Sequence, residues 1–188
     1  MNKTILVIGT FDTKDDELNY VCGVIRAQGG TPMSMDVSVL GDPQQPTDIS
    51  KHDVTAAVGK TIQDAIDAGD ENHAMQIMAK GAATLCATLY ADGKIDGMIG
   101  LGGTMGTDLV LDCAQALPMG VPKFVVSTFS FSPIIPADRL SPDIQMILWA
   151  GGLYGLNSVC KSSLSQAAGA VLGAARAVEK PVRDRPVI

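Results

Sequence analysis

Aromatic residues are scarce in this chain of 188 residues, where Phe, Trp and Tyr together make up 4 %. A core must then be built from Ala, Val, Ile, Leu and Met, within a hydrophobic share of 46 %. That favours helices packed on a parallel sheet over an aromatic-rich sandwich. Histidine is scarcer still: His52 and His73 are the only two, so a histidine-based metal site has little to draw on. Cys22, Cys86, Cys113 and Cys160 lie too far apart for a zinc ribbon or a CxxC redox pair. Each falls in a segment of helical spacing and reads as a small buried hydrophobe in a reducing cytoplasm. Positive charge is short as well. The 14 Lys and Arg against 20 Asp and Glu leave a formal net charge of −6, which argues against nucleic-acid binding by counterion release. Any phosphate ligand has to be held locally, by backbone and a few side chains. No longer apolar core follows Met1, and the apolar segment near the end carries Lys161, Ser162, Ser163, Ser165 and Gln166. Neither a signal peptide nor a membrane span is expected.

What is present is a repeated alternation of strand and helix. Thr4 to Ile8 is a continuous apolar run of the kind buried on both faces of a parallel sheet. It stops at Gly9-Thr10, and Leu18, Val21, Cys22 and Ile25 then keep helical spacing. Thr13 with Asp16 has the form of a capping box, and Asp15, Asp16 and Glu17 suit a helix N-terminus. Lys14 does not suit it. It is either a solvated surface lysine or a cation kept for a nearby anion.

Gly29-Gly30 ends this helix, and Thr31 to Leu40 reads as a second strand finishing at Asp36. An acid there binds a ribose hydroxyl in many doubly wound nucleotide folds. Gly41 to Asp53 is an aperiodic loop, long enough to be functional. Val54 to Ala68 forms one or two short helices capped by Asp53, and the stripe of Met75, Met78, Ala82, Leu85 and Leu89 predicts an amphipathic helix from Glu71 to about Asp92-Gly93.

The stretch around which these elements are organised is Ile99-Gly-Leu-Gly-Gly-Thr-Met-Gly-Thr-Asp-Leu109. It joins the apolar run Gly97 to Leu101 to a helix over Thr104 to Leu117 through Gly100, Gly102, Gly103 and Gly106. Position 105 is Met, so the dinucleotide GxGxxG pattern is incomplete, and Gly106-Thr107-Asp108 is not a P-loop ending. Glycines at such a junction serve tight packing, or let an anion approach the unpaired N–H groups of the helix. Val121 to Ser127 is a further buried strand ending in Ser127 and Thr128, candidates because open α/β sheets bind ligands at strand carboxyl ends. Ser132 to Pro142 is irregular, Asp143 to Trp149 a fifth strand, and Ala150 to Asn157 a third glycine-rich junction before a helix carrying Leu164, Ala168, Val171, Leu172 and Ala175. The expected fold is α/β, a Rossmann-like parallel sheet with right-handed crossovers and helices on both faces. Residues 1–179 form the domain. The charged, proline-bearing residues 180–188 read as a linker and the start of a further, C-terminal domain.

These motifs, taken in order, resemble the Tm-one-like ATP-binding domain family, shared by a plant inhibitor of tobamovirus replication and bacterial proteins of unassigned function. The resemblance covers nearly the whole chain. It rests on Gly9-Thr-x-Asp12-Thr-Lys14 with Glu17, Pro46-x-Asp48-Ile49, Gly69-Asp70, Gly100-x-Gly-Gly-Thr-x-Gly-Thr107, Leu117-Pro-x-Gly-x-Pro-Lys123, Ser127-Thr128 and Gly155-Leu-Asn157. It implies an ATP-binding domain followed by a second domain similar to TIM-barrel hydrolases. The nucleotide contacts would come from Gly9, Thr10, Asp12, Thr13, Lys14, Gly102, Gly103, Thr104, Gly106 and Thr107, with Ser127, Thr128 and, from the strand-end argument, Asp36 nearby. The sequence departs from the family pattern at Glu71, where a basic residue is expected, at Ser130-Phe-Ser132, and at Gly152, where an acid is expected. The ligand expected is ATP, with Mg²⁺ held by Asp12 or Asp108 if the domain belongs to a phosphate-handling hydrolase. A third reading is an interaction or inhibitor domain using the Gly41 to Asp53 loop or an exposed helix as its contact face. The expected partners are the nucleotide, the C-terminal domain and further copies in a homo-oligomer, with no nucleic acid and no membrane.

Overall fold

The structure, a computed structural model, describes residues 2–149 and 156–178. The third glycine-rich junction over 150–155, Gly152 within it, and the tail from 179 onward lie outside the described residues.

Five strands, β1 (Thr4–Gly9), β2 (Thr31–Asp36), β3 (Gly97–Gly102), β4 (Lys123–Ser127) and β5 (Ile144–Leu148), form one sheet in the order β2-β1-β3-β4-β5. Every pairing is parallel. The interior strands are apolar on both faces because both are covered. Leu6, Ile8, Met98 and Val125 point to one core, and Ile5, Val7, Ile99, Leu101, Phe124 and Val126 to the other. The first face carries α2 (Lys51–Ala56), α3 (Ile62–Ile66), α4 (Glu71–Ala91) and α5 (Thr104–Ala116). The second carries α1 (Asp15–Ala27) and α6 (Ser158–Ala177). This is the doubly wound arrangement expected from the alternation of strand and helix.

Two local expectations are corrected. The Thr13–Asp16 capping box does not form: Lys14 occupies the N-cap position of α1 without a side-chain cap, because the Thr13 hydroxyl turns back to Thr10 Oγ1 at 2.8 Å. The helix after the long loop begins earlier than expected. Ser50 caps it, and Asp53 sits three residues in as the return half of a capping box. The four cysteines are free thiols buried in α1, α4, α5 and α6. Burial raises the Cys22 thiol to about 11, against weaker opposition from Arg26, so it behaves as a packing group.

Candidate functional site

In a sheet of order 2-1-3-4-5 the connections leave in opposite directions from the junction of β1 and β3, opening a crevice beyond their carboxyl ends. A cleft of about 830 Å³ lies there. One side is the β1–α1 turn, with Thr10, Asp12, Thr13 and Lys14; facing it is the β3–α5 turn, with Gly103 to Gly106. The crossover from β2 to β3 closes the rest. Leu40, Ile66 and Met75 give it an apolar wall, and Asp70 and Glu71 stand at the start of α4.

The β3–α5 turn is shaped by glycine. A Cβ on Gly102 would collide with the Thr107 amide and the Gly106 carbonyl carbon, whereas a Cβ on Gly103 would meet nothing within 4 Å. Gly102 therefore lets the chain fold back on itself, and Gly103 leaves space. As the N-cap of α5, Gly103 offers no side chain to the first turn, which also lacks an acid. The Thr107 amide bonds to Gly103 O at 2.8 Å. The amides of Thr104, Met105 and Gly106, at the first three positions of a thirteen-residue helix, have no acceptor within the helix, so the positive end of its dipole faces the cleft. The first turn of α1 is the reverse, with Asp15, Asp16 and Glu17 to repel an anion. Two neighbouring helix starts thus differ in sign.

A hydroxyl pair beneath holds α5 in place. Thr107 Oγ1 and Ser127 Oγ are 2.6 Å apart, and Ser127 Oγ also accepts from the Phe129 amide at 2.9 Å. Thr128 N donates to Gly102 O at 3.3 Å. Thr107 and Ser127 are buried and, like Thr128, lie outside the cleft wall. Gly9 is also outside; a Cβ there would press on the Leu18 side chain at 2.8 Å, so its role is the close approach of α1. Asp36 ends β2 as expected, and one oxygen of its buried carboxylate is engaged by the chain itself. Oδ1 accepts from Phe11 N at 3.1 Å, Ser38 N at 2.9 Å and the Ser38 hydroxyl. Through Oδ1 it staples the β1–α1 turn to the exit of β2.

The cleft itself holds two groups without counterparts. Lys14 is half-buried, and no carboxylate lies within ion-pair distance of its ammonium among the described residues. Asp12 accepts at Oδ2 from Gly41 N at 3.3 Å, while its buried Oδ1 has no hydrogen-bond partner. Asp70 is differently placed. The His73 amide, at 2.9 Å, and the His73 ring, at 2.7 Å, hold its carboxyl below the usual range. Asp108, the other metal candidate, is engaged by Arg139 at 2.7 Å and is not among the residues lining this cleft.

Seven expected residues therefore share one cleft: Thr10, Asp12, Thr13, Lys14, Gly103, Thr104 and Gly106. Gly9, Asp36, Gly102, Thr107, Ser127 and Thr128 instead build the frame around it. Sequence reasoning missed the wall made by Leu40, Ile66 and Met75. Leu40 and Ile66 are large apolar residues that the structure leaves exposed, and no periodicity in the sequence sets them apart.

A doubly wound parallel α/β domain with its cleft at the switch point is the class that fold and site define. Within it the chain belongs to the uncharacterised protein family UPF0261, whose N-terminal domain matches residues 3–180. It is 57 % identical over 184 residues to a UPF0261 protein of Brucella suis, covering 98 % of this chain and 44 % of that protein. A UPF0261 protein of Clostridium tetani is 33 % identical over 189 residues, covering 100 % and 46 %. The ToMV susceptible protein tm-1 of Solanum lycopersicum is 25 % identical over 184 residues, covering 90 % of this chain and 24 % of the plant protein, in keeping with the Tm-one-like motifs. The chain thus spans less than half the length of the curated relatives it matches. No helix among the described residues is long and apolar enough to cross a membrane.

Proposed function

We propose that this domain is a nucleotide-binding module, with ATP as its ligand, serving a larger two-part protein. The observation that carries the reading is the facing pair in one cleft: the Lys14 ammonium without a carboxylate and the uncapped first turn of α5. A triphosphate laid between them gains a point charge on one side and backbone N–H groups on the other. Leu40, Ile66 and Met75 offer the base an apolar wall away from the phosphates, the usual division of labour in such a cleft.

The lining carries Asp12, Asp70 and Glu71 against Lys14, an acidic balance that favours a metal–nucleotide complex over a bare polyanion. Asp12 fits that role, since its buried Oδ1 lacks a partner. Mg²⁺ takes one or two protein carboxylates and fills its remaining positions with phosphate oxygens and water. When bound, it would neutralise phosphate charge. The chain's own residues would orient the nucleotide: Lys14 by charge, the Thr10 and Thr13 hydroxyls by hydrogen bonding, and Gly103 by leaving room. Four buried free thiols suit a reducing cytoplasm.

Titration calorimetry with ATP, ADP and inorganic phosphate, each with and without Mg²⁺, tests this reading. Heat with ATP that grows when Mg²⁺ is added is the expected result. The absence of heat with all three at millimolar concentration overturns it. Phosphate release in the ATP samples that disappears in Lys14→Ala would extend the reading to hydrolysis at this site.

A further inference from the structure

The segment between β4 and β5 crosses α5 and is fastened there. Arg139 reaches Asp108 and Asp112, each at 2.7 Å, and its carbonyl accepts from Gln115 at 2.8 Å. Although anchored, the segment turns large apolar side chains outward: Phe131 is 79 % and Ile134 65 % exposed. Phe131 has a φ of 64°, the single non-glycine residue in the left-handed region among the described residues. That conformation is unfavourable for a bulky side chain, and the backbone holds Phe131 out where most of its ring stays exposed. Behind it lies a groove of about 190 Å³ in which Phe131 and Leu140 meet Ile144 and Met146 of β5. β5 is an edge strand, paired on one side only among the described residues. Natural sheets blunt or cover such edges.

We infer that this apolar groove beside β5 is the docking seat for the C-terminal half of the full-length protein. Two observations choose that occupant over a second copy. The curated relatives are more than twice the length of this chain, so the family's polypeptide continues well past this domain. Its route out is also known as far as Val178, after α6, which lines a hollow with Pro142, Ile144 and Gln145 at the start of β5. The chain leaves this domain beside the groove. A tethered apolar face there has an effective concentration on the order of millimolar, which a free second copy does not reach. The inference is independent of what the cleft binds.

The test uses the full-length protein. Leu140→Asp places a charge in the groove at an exposed site, Phe131→Gly removes the side chain while relieving its backbone, and Ala87→Asp on the exposed face of α4 is the control. Limited proteolysis after α6 reports how often the halves separate, and sedimentation reports the assembly state. The expected result is cleavage about 10-fold faster in both groove variants and unchanged in the control, with assembly state and helical circular dichroism unaltered. Unchanged cleavage in the folded groove variants overturns the inference. Loss of a dimer with unchanged cleavage also overturns it and assigns the groove to a second copy. If Leu140→Asp does not fold, Phe131→Gly decides alone, since glycine is at ease at its φ.

Discussion

Thr107 and Ser127 stand twenty residues apart in sequence and share a buried hydroxyl contact of 2.6 Å, which joins the first turn of α5 to the carboxyl end of β4. It is the link that keeps the uncapped amides of α5 aimed into the cleft. Ser127→Ala would leave the Phe129 amide without its acceptor and Thr107 with only a weak contact to Gly102 O at 3.4 Å. Stranded buried polar groups of this kind cost about 1–3 kcal/mol. Denaturant unfolding should show that loss as a lower midpoint with unchanged slope. Thr107→Ser, which keeps the hydroxyl, should lose less.

Gly102 and Gly103 are neighbours with opposite requirements. A methyl at Gly102 meets backbone atoms of Gly106 and Thr107 that have no means of yielding, whereas one at Gly103 enters open space. Gly102→Ala is expected to destabilise the fold by roughly 2 kcal/mol or more, as over-packing does. Gly103→Ala should unfold like the parent chain yet bind ATP several-fold more weakly. Thermal unfolding and calorimetry on the pair separate the two roles, and equal unfolding midpoints would contradict the assignment.

Lys14 and Glu71 make a second contrasting pair across the cleft. Lys14→Ala removes a cation that has no ion pair to lose, so stability should hold while affinity for ATP falls about tenfold, the size of one charge-assisted contact at 1.5 kcal/mol. Glu71→Lys reverses the sign of a carboxylate in the cleft lining. It should tighten ATP binding several-fold, most visibly at low ionic strength, where a partly exposed charge is least screened. Calorimetry at two salt concentrations checks both.

Much of this architecture was legible because the relevant signals are local. Thr4 to Ile8 and Val121 to Ser127 are apolar without alternation, as strands buried on both faces must be, and the glycines of the β3–α5 turn mark a tight junction wherever it folds. The cleft's two turns followed from the same logic. The apolar wall did not, because Leu40, Ile66 and Met75 come together through the path of the crossover from β2 to β3, which no periodicity encodes. At Asp36 the strand-end position was legible, but the engagement of Oδ1 by Ser38, two residues on, in an Asx-type turn was not read from the sequence, although a polar residue at that spacing is a signal for such a turn. At Thr13 a short hydroxyl contact to Thr10 defeated the capping box, a competition that spacing alone does not decide.

The far end of the sheet gives the clearest dependence on pH. Lys123 begins β4, is 1 % exposed, and donates to Asp143 Oδ2 at 2.8 Å. The Gly120 amide donates to the same oxygen at 2.8 Å, and the Ser141 hydroxyl to the other at 2.6 Å. Partial burial pushes the Asp143 carboxyl upward, but Lys123, Ser141 and Gly120 outweigh it and bring the group from 3.8 down to about 2. A carboxyl depressed in the folded state contributes its full stability above the unfolded value and loses it as pH falls through the folded one. The parent chain should therefore lose stability between about pH 4 and pH 2 as this site protonates. Asp143→Asn should flatten that part of the acid slope. At neutral pH it should cost about 3 kcal/mol, because a buried ammonium is left without its counter-charge. Urea unfolding of both proteins from pH 7 to pH 2 checks the assignment, since an unchanged acid slope in the variant would place the titration elsewhere.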